Sequence, residues 1–279
     1  MFIVRLISGA VLLALSFLFI LLGGYPLVAV LWLLSIGAVY ELTKALKVGG
    51  SEGKSALSIL CYIAVTAYYV VLAFDGSFLL LTAVTVFSVI MFLMAYVFTF
   101  PKFSVEDTMG TVFAFMYAPI MLSFVYLTRG LEDGKFIVWM IFISSWGYDT
   151  FAYCVGMITG KTIGNHKVTP KLSPKKSIEG VIGGIVGAAL LAWLFGHFVM
   201  AQRTDSYNNL EWMLAIMAAV GAVIAQVGDL AASAIKRNKD IKDYGKCIPG
   251  HGGVLDRFDS MIFTAPITYF LAVLLLNIK

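Results

Sequence analysis

Charge is scarce in this chain. Lys, Arg, Asp and Glu make up 13% of its 279 residues, about half the share of an ordinary soluble domain. Cysteine is scarcer still. Cys61, Cys154 and Cys247 show no pairing pattern and no CxxC, which excludes a disulfide framework and leaves three free thiols. Short alternating segments are missing, so a membrane β-barrel is excluded. No small-residue cleavage site follows the N-terminal MFIVRL, so that segment is expected to stay as a helix. Internal repeats, low-complexity linkers and a separate soluble domain are also missing. One membrane domain over 1–279 is expected, with N-terminal helices in 1–100 and catalytic helices and loops in 101–279.

What is abundant is hydrocarbon. Hydrophobic residues reach 60% and the mean hydropathy is +0.92. Nine apolar spans of bilayer-crossing length can be drawn, at 4–22, 25–44, 56–74, 78–99, 109–128, 136–158, 178–200, 211–235 and 257–277. The fold expected is an all-α polytopic membrane protein of about nine transmembrane helices. Pro119 is expected to kink the fifth span. Loops after even-numbered spans hold 15 of the 20 Lys and Arg residues, which puts that side in the cytoplasm and the N-terminus outside. The net charge of +4 therefore reflects membrane-facing loops, and nucleic acid is not an expected partner.

The scarce charges are concentrated. Gly228 to Ser260 is the most polar run, with Asp229 at its start and Asp256 and Asp259 at its end. Lys236, Arg237, Lys239, Lys242, Lys246 and Arg257 lie between them, beside the turn Pro249-Gly250-His251-Gly252-Gly253. Carboxylates, cations and a glycine-rich backbone are what a metal and a polyphosphate require. A carboxylate in an apolar span costs several kcal/mol unless paired or hydrated. For one such residue a helix-packing hydrogen bond is an equal alternative, but Asp149 and Asp229 both lie in spans, and Asp256 and Asp259 open another. Asp256 and Asp259 are three residues apart and share a helix face. With Asp229 they form a candidate oxygen-only site for Mg²⁺. The PGHGG turn and His251 are weak signals by themselves. The loop 161–180 carries five lysines and fits either a lipid-headgroup patch or a phosphate clamp. Ser177 reads as a helix start, Gly183, Gly184 and Gly187 permit close helix packing, and the glycine-rich stretch 180–187 leaves room for a homodimer interface.

These residues carry a resemblance. Ser233-Ala234-Ile235-Lys236-Arg237, then Lys242-Asp243, then Ile248 to Asp259 (IPGHGGVLDRFD) resembles the motif of the phosphatidate cytidylyltransferases, or CDP-diacylglycerol synthases. Asp149 to Tyr153 (DTFAY) and Ser173 to Gly180 (SPKKSIEG) look like further blocks of that family, so the resemblance reaches across the C-terminal half. Two positions depart from it. Cys247 stands where a larger aliphatic residue is expected, and Ala231-Ala232 where a polar or acidic residue often precedes the serine.

The resemblance implies an enzyme of the cell (inner) membrane that turns CTP and phosphatidic acid into CDP-diacylglycerol and pyrophosphate. It implies Mg²⁺ on Asp229, Asp256 and Asp149, with Asp259 as a ligand or an orienting group, and room for a second cation. Lys175, Lys176, Lys236, Arg237 and Arg257 would hold the triphosphate and lipid phosphate. Lys167, Ser173, Ser233, Lys242, His251, Gly252 and Gly253 complete the expected substrate-binding set. The rivals are a CTP-dependent polyprenol or phytol kinase, a CDP-alcohol phosphotransferase, a secondary transporter and a scaffolding protein.

Overall fold

A computed structural model describes residues 2–50, 53, 55–162, 164, 166–170, 172–200, 209–250 and 252–278, with backbone alone at 2–6 and at Lys175. Helices dominate: α1 (Phe2–Leu22), α2 (Gly24–Leu46), α3 (Ala56–Phe74), α4 (Phe78–Thr99) and α5 (Val105–Gly130). Two four-residue helices follow, α6 (Gly134–Ile137) and α7 (Trp139–Phe142), then α8 (Tyr148–Thr162). A hairpin of β1 (Lys167–Thr169) and β2 (Ser173–Ser177) leads to α9 (Ile178–Met200), α10 (Leu210–Asn238) and α11 (Leu255–Leu276). The protein is an all-α polytopic membrane protein with one short antiparallel hairpin.

Seven of the described helices are long and apolar enough to cross a membrane. Two of the nine expected spans differ. The first is α1, whose fully described apolar stretch is the shorter Ile7–Leu22. The span at 136–158 is broken into α6, α7, a π-helical turn at Ile143–Gly147 and α8. The Ser145 hydroxyl donates to the Ile141 carbonyl at 2.7 Å, and such back-bonding bends a helix. Pro119 does not end the fifth span. A π-helical turn at Met116–Ile120 absorbs it, because an opened turn makes room for the ring and its missing N–H.

Helix starts follow local chemistry. Ser55, Ser77 and Ser177 each accept a hydrogen bond from the backbone N–H three residues on, at 3.2–3.3 Å. Ser104 and Asp107 form a reciprocal capping box on α5. The expected helix start at Ser177 is thus found. The basic loop before it is the β1–β2 hairpin, with Lys167 opposite Ser177 and Thr169 opposite Ser173. No alternation of apolar residues announced those strands.

The chain divides into two compact units. Unit 1 comprises 1–126 and 238–258. There α2, α3 and α5 are tied through polar groups on apolar faces: Ser35 to Tyr69 at 2.8 Å, Tyr68 to Ser123 at 3.0 Å, and the Tyr69 hydroxyl to the Pro119 carbonyl at 3.0 Å. Phe115 packs edge-on against Tyr68 and Phe92.

Unit 2 comprises 127–237 and 259–279. Its core joins Ile137, Met140, Ala192, Leu214, Met217 and Ala272. The glycines of α9 lie against α8. A Cβ at Gly184 would stand 2.6 Å from the Tyr148 ring, and one at Gly183 2.5 Å from Val155. The close packing expected of these glycines is found here between α8 and α9.

Candidate active site

Polar groups gather at one place in unit 2. The π-helical turn at Ile143–Gly147 delivers Tyr148 and Asp149 into the first turn of α8. Strand β2 presents Lys176, and α10 presents Gln226 and Asp229. The Lys176 ammonium forms an ion pair with Asp229 and donates to Gln226 Oε1 at 3.1 Å. The Tyr148 hydroxyl donates to the same amide oxygen. An ammonium can only donate, so this oxygen must face Lys176. The amide nitrogen is then left buried without a partner among the described residues.

Asp259 reaches this group from α11. A Cβ at Gly228 would stand 2.8 Å from the Asp259 carbonyl oxygen, so only glycine lets the two backbones meet beside Asp229. Asp259 is 8% exposed, and its Oδ1 accepts from the Ser260 N–H at 2.8 Å. The charges acting on it are Asp229, Asp149 and Lys236. Asp229, Ser233 and Lys236 are spaced to share one face of α10. A cavity of about 360 Å³ adjoins, lined by Asp149, Ala152, Tyr153, Gly156, Lys176 and Gly180. Its walls are mostly apolar, and its polar side chains are the Asp149 carboxylate, the Lys176 ammonium and the Tyr153 and Ser177 hydroxyls.

A second polar region lies in unit 1. Asp256 Oδ2 accepts from the N–H groups of Tyr244 at 2.8 Å and Gly253 at 3.0 Å. Glu41 of α2 is 1% exposed and accepts from the N–H groups of Val254 and Leu255, both at 2.9 Å. Ile248 and Gly252 pair across the PGHGG turn. Gly252 adopts φ +90, a backbone that side-chain-bearing residues rarely reach. A cleft of about 600 Å³ is lined by Lys242, Asp243, Lys246, Gly250, Gly252 and Arg257.

Set against known proteins, a cytidylyltransferase family model matches residues 3–275. The chain belongs to the cytidylyltransferase family. It is 32% identical to a phosphatidate cytidylyltransferase of Bacillus subtilis over 274 residues, 97% of each chain. A Rickettsia felis protein of the same name is 39% identical over 156 residues, 56% of this chain and 67% of that one. One from Staphylococcus saprophyticus is 31% identical over 172 residues, 62% of each. The chain is thus a nucleotidyltransferase-family enzyme whose match covers the first helices as well as the motif-bearing half.

Within this family member, Asp149, Lys176, Asp229, Lys236 and Asp259 come together in unit 2. Lys167 and Ser173 lie on the hairpin, and Ser233 and Arg237 lie further along α10. Lys242, Gly252, Gly253, Asp256 and Arg257 belong to unit 1. His251 and the Lys175 side chain lie outside the described residues. No three carboxylate, imidazole or thiol groups converge at metal-binding spacing among the described residues. Sequence reasoning passed over Glu41, Gln226 and Tyr148. The signal for Glu41 was present, since it too is a carboxylate in an apolar span. Gln226 and Tyr148 had no comparable signal.

Proposed function

We propose that this enzyme transfers the cytidylyl group of CTP to phosphatidic acid, releasing pyrophosphate, at the cytoplasmic boundary of the cell membrane. What carries this reading is the meeting of Asp149, Asp229, Asp259 and Lys176 beside a mostly apolar cavity, in a chain of this family. A lipid phosphate needs a cationic anchor with an apolar wall next to it, and Lys176 with the α8–α9 cavity offers both. The concentration of Lys and Arg on alternate loops supports a cytoplasmic site and an external N-terminus. The chain is read as one membrane domain over 1–279.

An oxygen of the phosphatidate phosphate attacks the α-phosphorus of CTP. The bond from that phosphorus to the bridging oxygen of the β-phosphate breaks, and pyrophosphate leaves. The attacking phosphate is ionised near neutral pH, so no strong base is needed and catalysis is mainly positioning and charge neutralisation. In unit 2, Lys176, Lys236 and Arg237 supply positive charge to the phosphates.

The donor set in unit 2 is all oxygen, which suits Mg²⁺ with substrate phosphates completing its shell. Asp229 and Asp259 would hold it, with Asp149 beside them. A bound Mg²⁺ would supply charge neutralisation at the phosphate oxygens. Asp256 belongs to unit 1, where its Oδ2 accepts from the Tyr244 and Gly253 N–H groups, so its part in this reading is to hold the glycine turn. Lys176 already pairs with Asp229, and a side-chain partner of this kind can give way to a cation.

The test uses purified full-length chain with phosphatidic acid, Mg²⁺ and CTP labelled at either the α- or the γ-phosphate. Label should enter lipid from α-labelled CTP only, and only when phosphatidic acid is present. Lipid labelled from the γ-phosphate would make the protein a kinase. No labelled lipid at all would overturn the reading.

A further inference from the structure

Glu41 is a buried carboxylate that the reaction described above does not use. It lies in α2, far from the sequence motifs. Its two oxygens each take one N–H at the start of α11. Those N–H groups are the ones an isolated helix would leave without partners, and the helix dipole adds attraction for the negative charge. The side chain does more than cap. A Cβ at Gly245 or at Gly253 would overlap the Glu41 carboxylate, since the nearest Glu41 oxygens lie within contact distance of both positions. Gly245 precedes the PGHGG turn in sequence and Gly253 closes it. The Cys247 thiol, between them, lies beside Glu41. One carboxylate thus touches the loop at 245, 247 and 253–255.

That loop forms the cleft holding Lys242, Lys246 and Arg257, three cations with one acid, Asp243. We infer that Glu41 is a positioning residue: it braces the 242–257 loop so that Lys242, Lys246 and Arg257 present one preformed cationic cleft to the polyphosphate of CTP. The inference rests on the proposed use of CTP. It gives the N-terminal helices a part in nucleotide binding. Asp256 closes the same loop from within through Tyr244 and Gly253, so Glu41 and Asp256 grip it from two sides.

The test needs a readout that turnover does not touch. Cys247 is exposed and Cys61 is buried, so in a Cys154→Ser background Cys247 is the thiol that a maleimide reaches. Glu41→Gln keeps the shape but turns an amide N–H toward a backbone N–H. Glu41→Asp keeps the charge and shortens the reach. The expected result for both is Cys247 alkylation several-fold faster than in the parent. Alongside it, KM for CTP should rise about tenfold or more, the scale of losing hydrogen bonds to a charged group. KM for phosphatidic acid should stay within about twofold.

An unmoved Cys247 rate with unmoved KM for CTP overturns the brace and leaves the proposed activity standing. A faster Cys247 rate with unmoved KM for CTP, or failure of both variants to fold, overturns it too, since Glu41 is then only a structural prop. A parent chain that makes no CDP-lipid sinks the proposed activity. The Cys247 rate still decides whether Glu41 holds the loop.

Discussion

The two units hold carboxylates in opposite ways. In unit 1, Glu41 and Asp256 are satisfied by backbone N–H groups of Tyr244, Gly253, Val254 and Leu255. In unit 2, Asp229 is satisfied by the Lys176 side chain. A backbone donor cannot leave without unfolding its loop. A lysine on a hairpin can turn away and give the carboxylate to a cation. The first arrangement suits a frame and the second suits a site that exchanges partners. Acidity in an apolar span is therefore a sign of work, but the partner tells which work.

Five substitutions at four positions test this contrast. The largest effect is expected from Asp229→Asn. It should lower cytidylyl transfer roughly a hundredfold or more, with thermal stability near that of the parent, because its partner is a side chain that can reach water. A fall in stability without loss of activity would remove the contrast. Next is Asp256→Ala, which leaves two loop N–H groups unpaired and should cost about 2 kcal/mol of stability, read by thermal or denaturant unfolding. Asp256→Asn keeps an acceptor oxygen and should retain most of that stability. If Asp256→Asn unfolds like the parent yet loses activity, Asp256 acts on the substrates as well as on the loop.

Gly184→Ala tests the scaffold beneath the unit 2 site. A Cβ there would stand 2.6 Å from the Tyr148 ring, and overpacking of that kind costs about 1–3 kcal/mol. A melting temperature equal to the parent's would show that α8 and α9 can separate freely. The smallest effect is expected from Tyr148→Phe. It removes one donor from Gln226 while Lys176 still occupies the same oxygen. Stability should fall by about 1 kcal/mol, and kcat by less than about tenfold.

Much of this was legible in the residues. The serine caps at 55, 77, 104 and 177 and the glycines facing α8 act locally or along one helix face, so their effect can be read from spacing. Asp149, Asp229 and Asp259 stood out because a bare carboxylate is costly in an apolar span. Other features were not legible. The hairpin at 167–177 is polar on both faces and gives no alternation to read. Gln226 looks like any polar residue until Tyr148 and Lys176 converge on its oxygen. Glu41 escaped because its partners are backbone groups, which leave no mark on side-chain pattern.

The sequence by itself determined that this chain is a set of membrane helices. Apolar runs of about 20 residues can satisfy their backbone in a bilayer only by coiling, and that requirement is local. Only the tertiary structure decided which carboxylate does what. Glu41 meets the Val254 N–H across 213 positions of sequence, and Lys176 meets Gln226 across 50. Such pairings depend on how helices lie beside one another, and no local pattern of residues encodes them.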